Sequence, residues 1–569
     1  MQFFSNSTAY YIKSIRTVLK CCRRTATLSV VSHSELAGLD DLNVLGDVVG
    51  LIGKIVADDC PYLLLILDSE VVGELGPHDE PVYRIGKVLA VPIVDDGTAK
   101  PNYFDTSSNG FGKLKSQQKK LFSFVANRVN SMRLIDEVVK MLNDSETFYY
   151  ATSLDLTINS QRRAADPKCS VDEFFWNRHL LDEFFDSEGK LLDNSSEWVF
   201  RIIHGYFDQR HLSYETDSQL RLTLISRRST NRAGVRFLRR GVDSSGHVAN
   251  FVETELILRI FGHTLSFVQI RGSIPLFWSQ CGYRYRPPLV IDKTLTESLP
   301  ACREHFAMLK REYGEPIVVV NLIDQSGREL PLGEAFLQHI LEVDDPKPSY
   351  YAFDFHDQCR ALRFDKVSVL LDAVTNDLVK IGFCWIDKCG QMVREQKGVI
   401  RTNCVDCLDR TNVVQSAISQ NVCATQGKKP IAYFELHTRK LGLIEPFEET
   451  PGVLVQVLQQ MWADHGDCIS KQYAGTSALK GDVTRAGKRK LMGLMKDGYN
   501  SASRYYLSHV RDAQRQRAIE ALITGRGSTL LKPPEPEPGI DAEENYESEG
   551  SDDESDAECS RNYESKIFD

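Results

Sequence analysis

Residues 398–423, GVIRTNCVDCLDRTNVVQSAISQNVC, constrain the fold more than any other stretch of the chain. KGVIRTN has the apolar content of a buried strand, and NVVQSAISQNVC repeats its apolar residues at helical spacing. Only a short loop separates them. A strand, tight loop and helix in succession turn backbone N–H groups and a helix N-terminus towards one point, which is how a fold cradles an anion.

Two chemistries compete for the cysteines of this loop. Cys384, Cys389, Cys404 and Cys407 have the spacing C-x4-C-x14-C-x2-C of a zinc ribbon. Against zinc, Cys384 sits in an apolar strand-like run, no glycine follows Cys407, and Asp406 and Asp409 would add negative charge beside a thiolate cluster. The other reading takes Cys404-x5-Arg410-Thr411 as a phosphate-handling set. The helix N-terminus and Arg410 would lower the thiol from about 8.5, making Cys404 the nucleophile. Arg410 would grip two phosphoryl oxygens with its planar fork, and Thr411 would donate to the sulfur as it departs. Asp406 and Asp409 are the two candidates for the general acid that protonates an alkoxide leaving group, and the sequence does not choose between them. Asn403, Val405, Cys407 and Leu408 complete the cradle, with Cys407 read as a small packing residue. No metal or cofactor is needed in this scheme.

At 569 residues the chain exceeds one compact core. Residues 1–165 alternate short apolar runs with turns and are predicted to form a β-rich N-terminal region, interrupted by a polar loop at 95–120 and followed by a helix over 121–144. Residues 171–525 mix strands and helices as in an α/β domain, with QLRLTLISRR, HTLSFVQIRG and EPIVVVNLID as strands. Residues 526–569 are predicted to be a disordered acidic tail. From residue 533 onward, fourteen Asp and Glu face only Arg561 and Lys566, so this segment accounts for the net charge of −10 and leaves the rest nearly neutral. That balance argues against nucleic acid as a partner. No run is long and apolar enough to span a bilayer, and a cytoplasmic setting is expected from the scattered cysteines.

RTNCVDCLDRTN closely resembles the signature of the Sac-domain (suppressor-of-actin) phosphoinositide phosphatases, and the resemblance extends to FYYATSLDLTINSQR, LISRRSTNRAGVRFLRRGVDSSGHVANFVETE, RGSIPLFWSQ, FDFHDQCR and MWADHGDCISKQYAGTSALKGD. It implies a β-rich Sac subdomain ahead of a cysteine-phosphatase catalytic domain, with Cys404 as nucleophile, Arg410 as phosphate binder and Asp406 needed for activity. Within the family, RRGVDSSGHVANFVETE and GKRKLMGLMKDGYNSASRYYL look most like a member that removes the 4-phosphate of phosphatidylinositol 4-phosphate on endosomes. The resemblance therefore implies peripheral contact with an anionic cytosolic leaflet and a recruiting protein on endosomal membranes. His465 departs from the family, whose members often carry Asn there.

A lipid headgroup calls for cations. Six arginines lie within 227–240, and Arg228 and Arg236 are expected to bind substrate, as is Lys480 from a second cluster with Arg485, Lys488, Arg489 and Lys490. His356 reads as a core histidine, Trp278 and Trp462 as core, and Asp464 and Asp467 as caps of a helix over CISKQYAG. The alternative function is a catalytically inactive phosphoinositide-binding scaffold.

Overall fold

The computed structural model describes residues 1–93, 119–166, 169–213, 219–280, 288–359, 366–425, 452–478, 503–504, 507 and 511–528, without the side chains of 119–130, 213, 219, 424–425 and 452–453. All of them belong to one unit, Met1–Pro533. The polar loop at 95–118, Lys480 with its neighbouring cations, and the acidic tail beyond 528 lie outside the described residues.

In chain order the strands are β1 Gln2–Ser5, β2 Ala9–Lys13, β3 Val18–Cys22, β4 Leu28–Val31, β5 Asn43–Asp47, β6 Gly50–Ala57, β7 Cys60–Leu75, β8 Glu80–Pro92, β9 Phe148–Ala151, β10 Ile203–Ser213, β11 Gln219–Arg228, β12 Val252–Ile260, β13 His263–Arg271, β14 Trp278–Ser279, β15 Val290–Ile291, β16 Ile317–Asn321, β17 Ser349–Ala352, β18 Cys384–Ile386, β19 Met392–Arg394, β20 Val399–Asn403 and β21 Arg526–Gly527. The helices are α1 His33–Ala37, α2 Lys119–Asp144, α3 Ser160–Ala165, α4 Leu295–Tyr313, α5 Leu330–Leu341, α6 Phe355–Gln358, α7 Val367–Ile381, α8 Asp409–Thr425, α9 Gly452–Ala474 and α10 Asp512–Thr524. The expected strands and the helix over 121–144 are among them.

β1 to β5 form a small antiparallel sheet in the order β4-β3-β2-β1-β5. It packs Phe3, Tyr10, Ile12 and Leu19 onto Leu63, Leu65 and Val91 of β7 and β8. The alternate residues of β7, Leu64 and Ile66, face the opposite way, onto Leu134, Val138 and Leu142 of α2 and Ile519 and Leu522 of α10. The continuous apolar run YLLLILD is thus a strand covered on both faces.

The main sheet has fourteen strands among the described residues, and its path runs β17-β16-β20-β13-β12-β11-β10-β9-β8-β7-β6-β21. The boundary expected near 165–171 falls inside this sheet, because β9 and β10 on either side of it pair through Tyr149–Ile203 and Phe148–His204. Most ladders are antiparallel, but β13, β20, β16 and β17 run parallel to one another. Helices cover both faces there, as a parallel sheet requires. Val318 and Val320 of β16 point towards α7, α8 and α9, while Ile317 and Val319 point towards Phe306, Leu309 and Phe336 of α4 and α5. Trp462 and Trp278 are buried as expected.

The register brings three strand ends together. Arg271 at the end of β13 lies beside Thr402, and Asn321 at the end of β16 lies beside Asn403. The crevice beyond the carboxyl ends of parallel strands is where α/β sheets hold their ligands. The loop Cys404–Leu408 opens into it.

Candidate active site

β20 ends at Asn403 and α8 begins at Asp409, so the cysteine loop joins strand to helix directly. Asn403 is fixed from both sides: its amide donates to Asn321 Oδ1 at 2.6 Å and its Oδ1 accepts from Arg401 at 3.1 Å. Val405 and Leu408 are buried in apolar clusters on either side and anchor the loop.

Cys404 is 2 % exposed. Cys407 adopts a left-handed backbone (φ 52°), a conformation that costs energy for any residue with a Cβ. That turn folds Cys407 back on Cys404. Its N–H donates to Cys404 Sγ at 3.1 Å, its own Sγ accepts from the Cys404 N–H at 3.3 Å, and its S–H has acceptors in Gly272 O at 3.0 Å and Cys404 O at 3.1 Å. Hydrogen bonding from Cys407 is the largest influence on the Cys404 thiol and lowers it to about 6; burial opposes the shift, Arg410 assists it, and Asp406 and Glu329 oppose it. The Cys407 thiol moves the other way, well above its ordinary value, through burial and the neighbouring sulfur. Cys407 is buried, as a packing residue would be, and is in addition a hydrogen-bond partner of Cys404.

Asp406 is gripped by two arginines of the 231–250 segment. Arg236 reaches it with Nε at 3.1 Å and Nη2 at 2.8 Å, and Arg240 with Nη2 at 2.5 Å. Burial favours the neutral acid, but the two guanidinium groups prevail and hold the carboxyl far below the usual range. The same segment also holds the loop backbone: Arg240 donates to Val405 O at 2.8 Å and Asn250 to Asp406 O at 3.1 Å. Asp409, the first residue of α8, meets Arg504 at 3.2 Å.

The terminal nitrogens of Arg410 are engaged by protein. Nη1 donates to Leu322 O at 3.0 Å, Asp324 at 2.9 Å and Glu329 at 2.9 Å, and Nη2 to Glu329 at 2.9 Å. Asp324 also receives His356 Nδ1 at 2.8 Å. His356 is exposed, which corrects its reading as a core histidine: α6 is a short surface turn capped by Asp354. Thr411 is buried, and its Oγ1 has no hydrogen-bond partner among the described residues, Cys404 Sγ included.

The loop, Arg410 and Arg236 come together; Arg228 does not join them. Its guanidinium is buried between Trp176 and Tyr473 and donates to Gln472 O and Gly234 O. Arg227 is buried too, bonded to Glu253 at 3.0 Å and Glu255 at 2.9 Å of the neighbouring strand. The 227–240 arginines are thus not an open basic face: Arg240 is buried as well, and Arg239 pairs with Glu520 at 2.6 Å. Asp464 and Asp467 lie inside α9 rather than at a helix start, Asp467 accepting from Ala478 N at 2.9 Å. Asn250, Asp324 and Glu329 were missed by sequence reasoning, although Asn250 lies in a quoted family block. Cys384 lies in β18 and Cys389 is exposed, and no group of three or more His, Cys, Asp or Glu among the described residues is placed to hold a metal.

Residues 49–360 match the SacI homology domain, and the chain belongs to that family. The matched residues end before the cysteine loop. Among relatives, the phosphatidylinositide phosphatase SAC2 of Danio rerio is 37 % identical over 92 % of this chain and 50 % of its own length, and that of Homo sapiens 36 % over the same shares. The phosphatidylinositol-3-phosphatase SAC1-A of Danio rerio is 32 % identical over 87 % of this chain and 79 % of its own. The chain spans about half the length of the SAC2 relatives it matches. Among the described residues no helix is long and apolar enough to cross a membrane.

Proposed function

We propose that this protein is a phosphoinositide phosphatase that hydrolyses the ring phosphate of phosphatidylinositol 4-phosphate through a cysteinyl-phosphate. The observation that carries the reading is the placement of Cys404, buried in a strand–helix loop with the Cys407 N–H donating to its Sγ at 3.1 Å, where its thiol is held below the ordinary value. At neutral pH it is a thiolate, the form that attacks phosphorus. Its Sγ forms the S–P bond as the P–O bond to the inositol breaks. The departing alkoxide takes a proton, and water then cleaves the S–P bond, releasing inorganic phosphate and restoring the thiolate.

Asp406, held ionised by Arg236 and Arg240, is poorly suited to give a proton. In this reading it fixes the loop, and proton delivery is assigned to Asp409, whose carboxylate must first give up its ion pair with Arg504. Arg410, whose terminal nitrogens are held by Glu329 and Asp324 rather than left open as expected, exchanges those partners in this reading for the oxygens of the transferring group. The relatives named phosphatidylinositide phosphatase support the substrate class, as does the matching family. Contact with an anionic leaflet and recruitment to endosomal membranes by a partner protein belong to the same proposal.

The purified chain is assayed for phosphate release against all seven phosphoinositides, beside Cys404→Ser. Release greatest from phosphatidylinositol 4-phosphate and abolished in the variant is expected. Turnover retained by Cys404→Ser would overturn the mechanism, and binding without release in the native chain would favour the scaffold.

A further inference from the structure

We infer that Arg271 is the buried counter-ion of the Cys404–Cys407 pair, a positioning residue that sustains the reactive thiolate from the interior side of the loop. The inference deepens the phosphatase reading and rests on it.

Arg271 ends β13 and lies in register with Thr402, two residues before the nucleophile. The carbonyl of the next residue, Gly272, accepts from the Cys407 S–H. The guanidinium is fully buried. Its Nη2 makes two long contacts, to Asn412 Oδ1 at 3.4 Å and His465 Nδ1 at 3.5 Å, while Nε and Nη1 have no hydrogen-bond partner among the described residues. No carboxylate among them pairs with it.

Two other buried arginines make the contrast. Arg227 has two carboxylates and the carbonyls of Leu156 and Ile158. Arg401 bonds His305, Asn403 and the Ser273 carbonyl. An arginine buried for structure alone is satisfied in this way, since an uncompensated buried charge is costly. Arg271 keeps its proton at neutral pH, burial lowering it only to about 10, and the groups that favour its charge are the sulfurs of Cys407 and then Cys404.

The surroundings explain why the pair needs this cation. On the Cys404 side stand Arg410, Asp406 and Glu329, and Arg410 is already matched by Asp324 and Glu329. On the Cys407 side stand Arg401, Arg240 and Tyr473. Arg240 is taken by Asp406. Arg401, like Arg271, touches no carboxylate and has its charge favoured by Cys407, but its nitrogens are satisfied by His305, Asn403 and the Ser273 carbonyl; of the two, Arg271 is held only weakly. His465 contributes by staying neutral: burial first, then Arg271, push it well below its ordinary value, so it adds no second positive charge, and its Nδ1 lies 3.2 Å from Asn412 Oδ1. Asn412, its amide tied to the Trp462 carbonyl at 2.8 Å, presents its oxygen to the same nitrogen. The histidine that departs from the family signature is thus part of the Arg271 seat.

The test is the pH dependence of Cys404 alkylation by iodoacetamide, followed on the Cys404 peptide by mass spectrometry, in the full chain and in Arg271→Met, Arg271→Gln and Arg271→Lys. Neutralising Arg271 should raise the alkylation midpoint by about one pH unit, roughly a fivefold slower reaction at pH 6, and Lys should restore most of it. A folded Met or Gln variant with the native midpoint would make Arg271 structural and overturn the inference. So would Lys behaving like Met. Should both neutral variants fail to fold, the native midpoint decides against the inference if it lies near that of an ordinary thiol, and for it if the folded Lys variant keeps a midpoint near 6. Alkylation needs no turnover, so absence of phosphate release in the native chain would sink the phosphatase reading and leave this result standing.

Discussion

Arg410 and Glu329 meet fork to fork: Nη1 and Nη2 each lie 2.9 Å from a different oxygen of the carboxylate. The pair fixes the plane of the guanidinium, and it also places a negative charge near Cys404 that works against the thiolate.

Glu329→Gln separates these effects. Alkylation of Cys404 should become faster at acidic pH, because an opposing charge is gone. Phosphate release should nevertheless fall about tenfold in kcat/KM, because Arg410 loses its orientation. Faster alkylation together with unimpaired turnover would mean that the orientation of Arg410 is set elsewhere.

Cys407→Ala removes the side-chain sulfur whose interaction most lowers the nucleophile, while keeping the backbone N–H that donates to Cys404 Sγ. The thiol should rise from about 6 towards the ordinary 8.5. A group whose value rises becomes deprotonated later, so the acid limb of the kcat/KM profile should move to higher pH. Loss should be large at pH 6 and small at pH 9. A profile unchanged in shape would assign the shift to the loop backbone.

Proton donation is tested through the leaving group. Asp409→Asn should lower turnover of the lipid about 100-fold or more, while release from an aryl phosphate, whose phenolate needs no proton, changes little. Asp406→Asn should impair both substrates alike, since it loosens the loop from Arg236 and Arg240. The reverse pattern would transfer the acid to Asp406.

The strand–loop–helix was legible because its elements are local: KGVIRTN and NVVQSAISQNVC each carry their own pattern. The residues that complete the site are not local. Asp324 and Glu329 reach Arg410 only because β16 and β20 pair in register, and Asn250 arrives from beyond β11. The arginine run shows the same limit. Arg227 stands opposite Glu253 across the β11–β12 ladder and is sealed in the sheet, whereas Arg236, nine positions on, lies in the loop that grips Asp406. The signal that could have told them apart is VETELILR, where two acids spaced by two in an apolar strand ask for a buried cation. Cys407 was hidden for another reason: its left-handed turn is a property of the closed loop and leaves no mark in the pattern.

The pairing of β21 with β6 and the packing of α10 on α2 bring residues 512–527 back to the β-rich start of the chain. The cysteine loop lies in sequence between two segments that pack against each other. Pulling away the 512–527 segment would bare Ile519 and Leu522 and uncover an edge of β6, more than a hundred residues in sequence from Cys404. Such a layout makes the β-rich region a structural dependant of the residues that follow it rather than a detachable module, so that Cys404 shares its cooperativity with strands that never approach it.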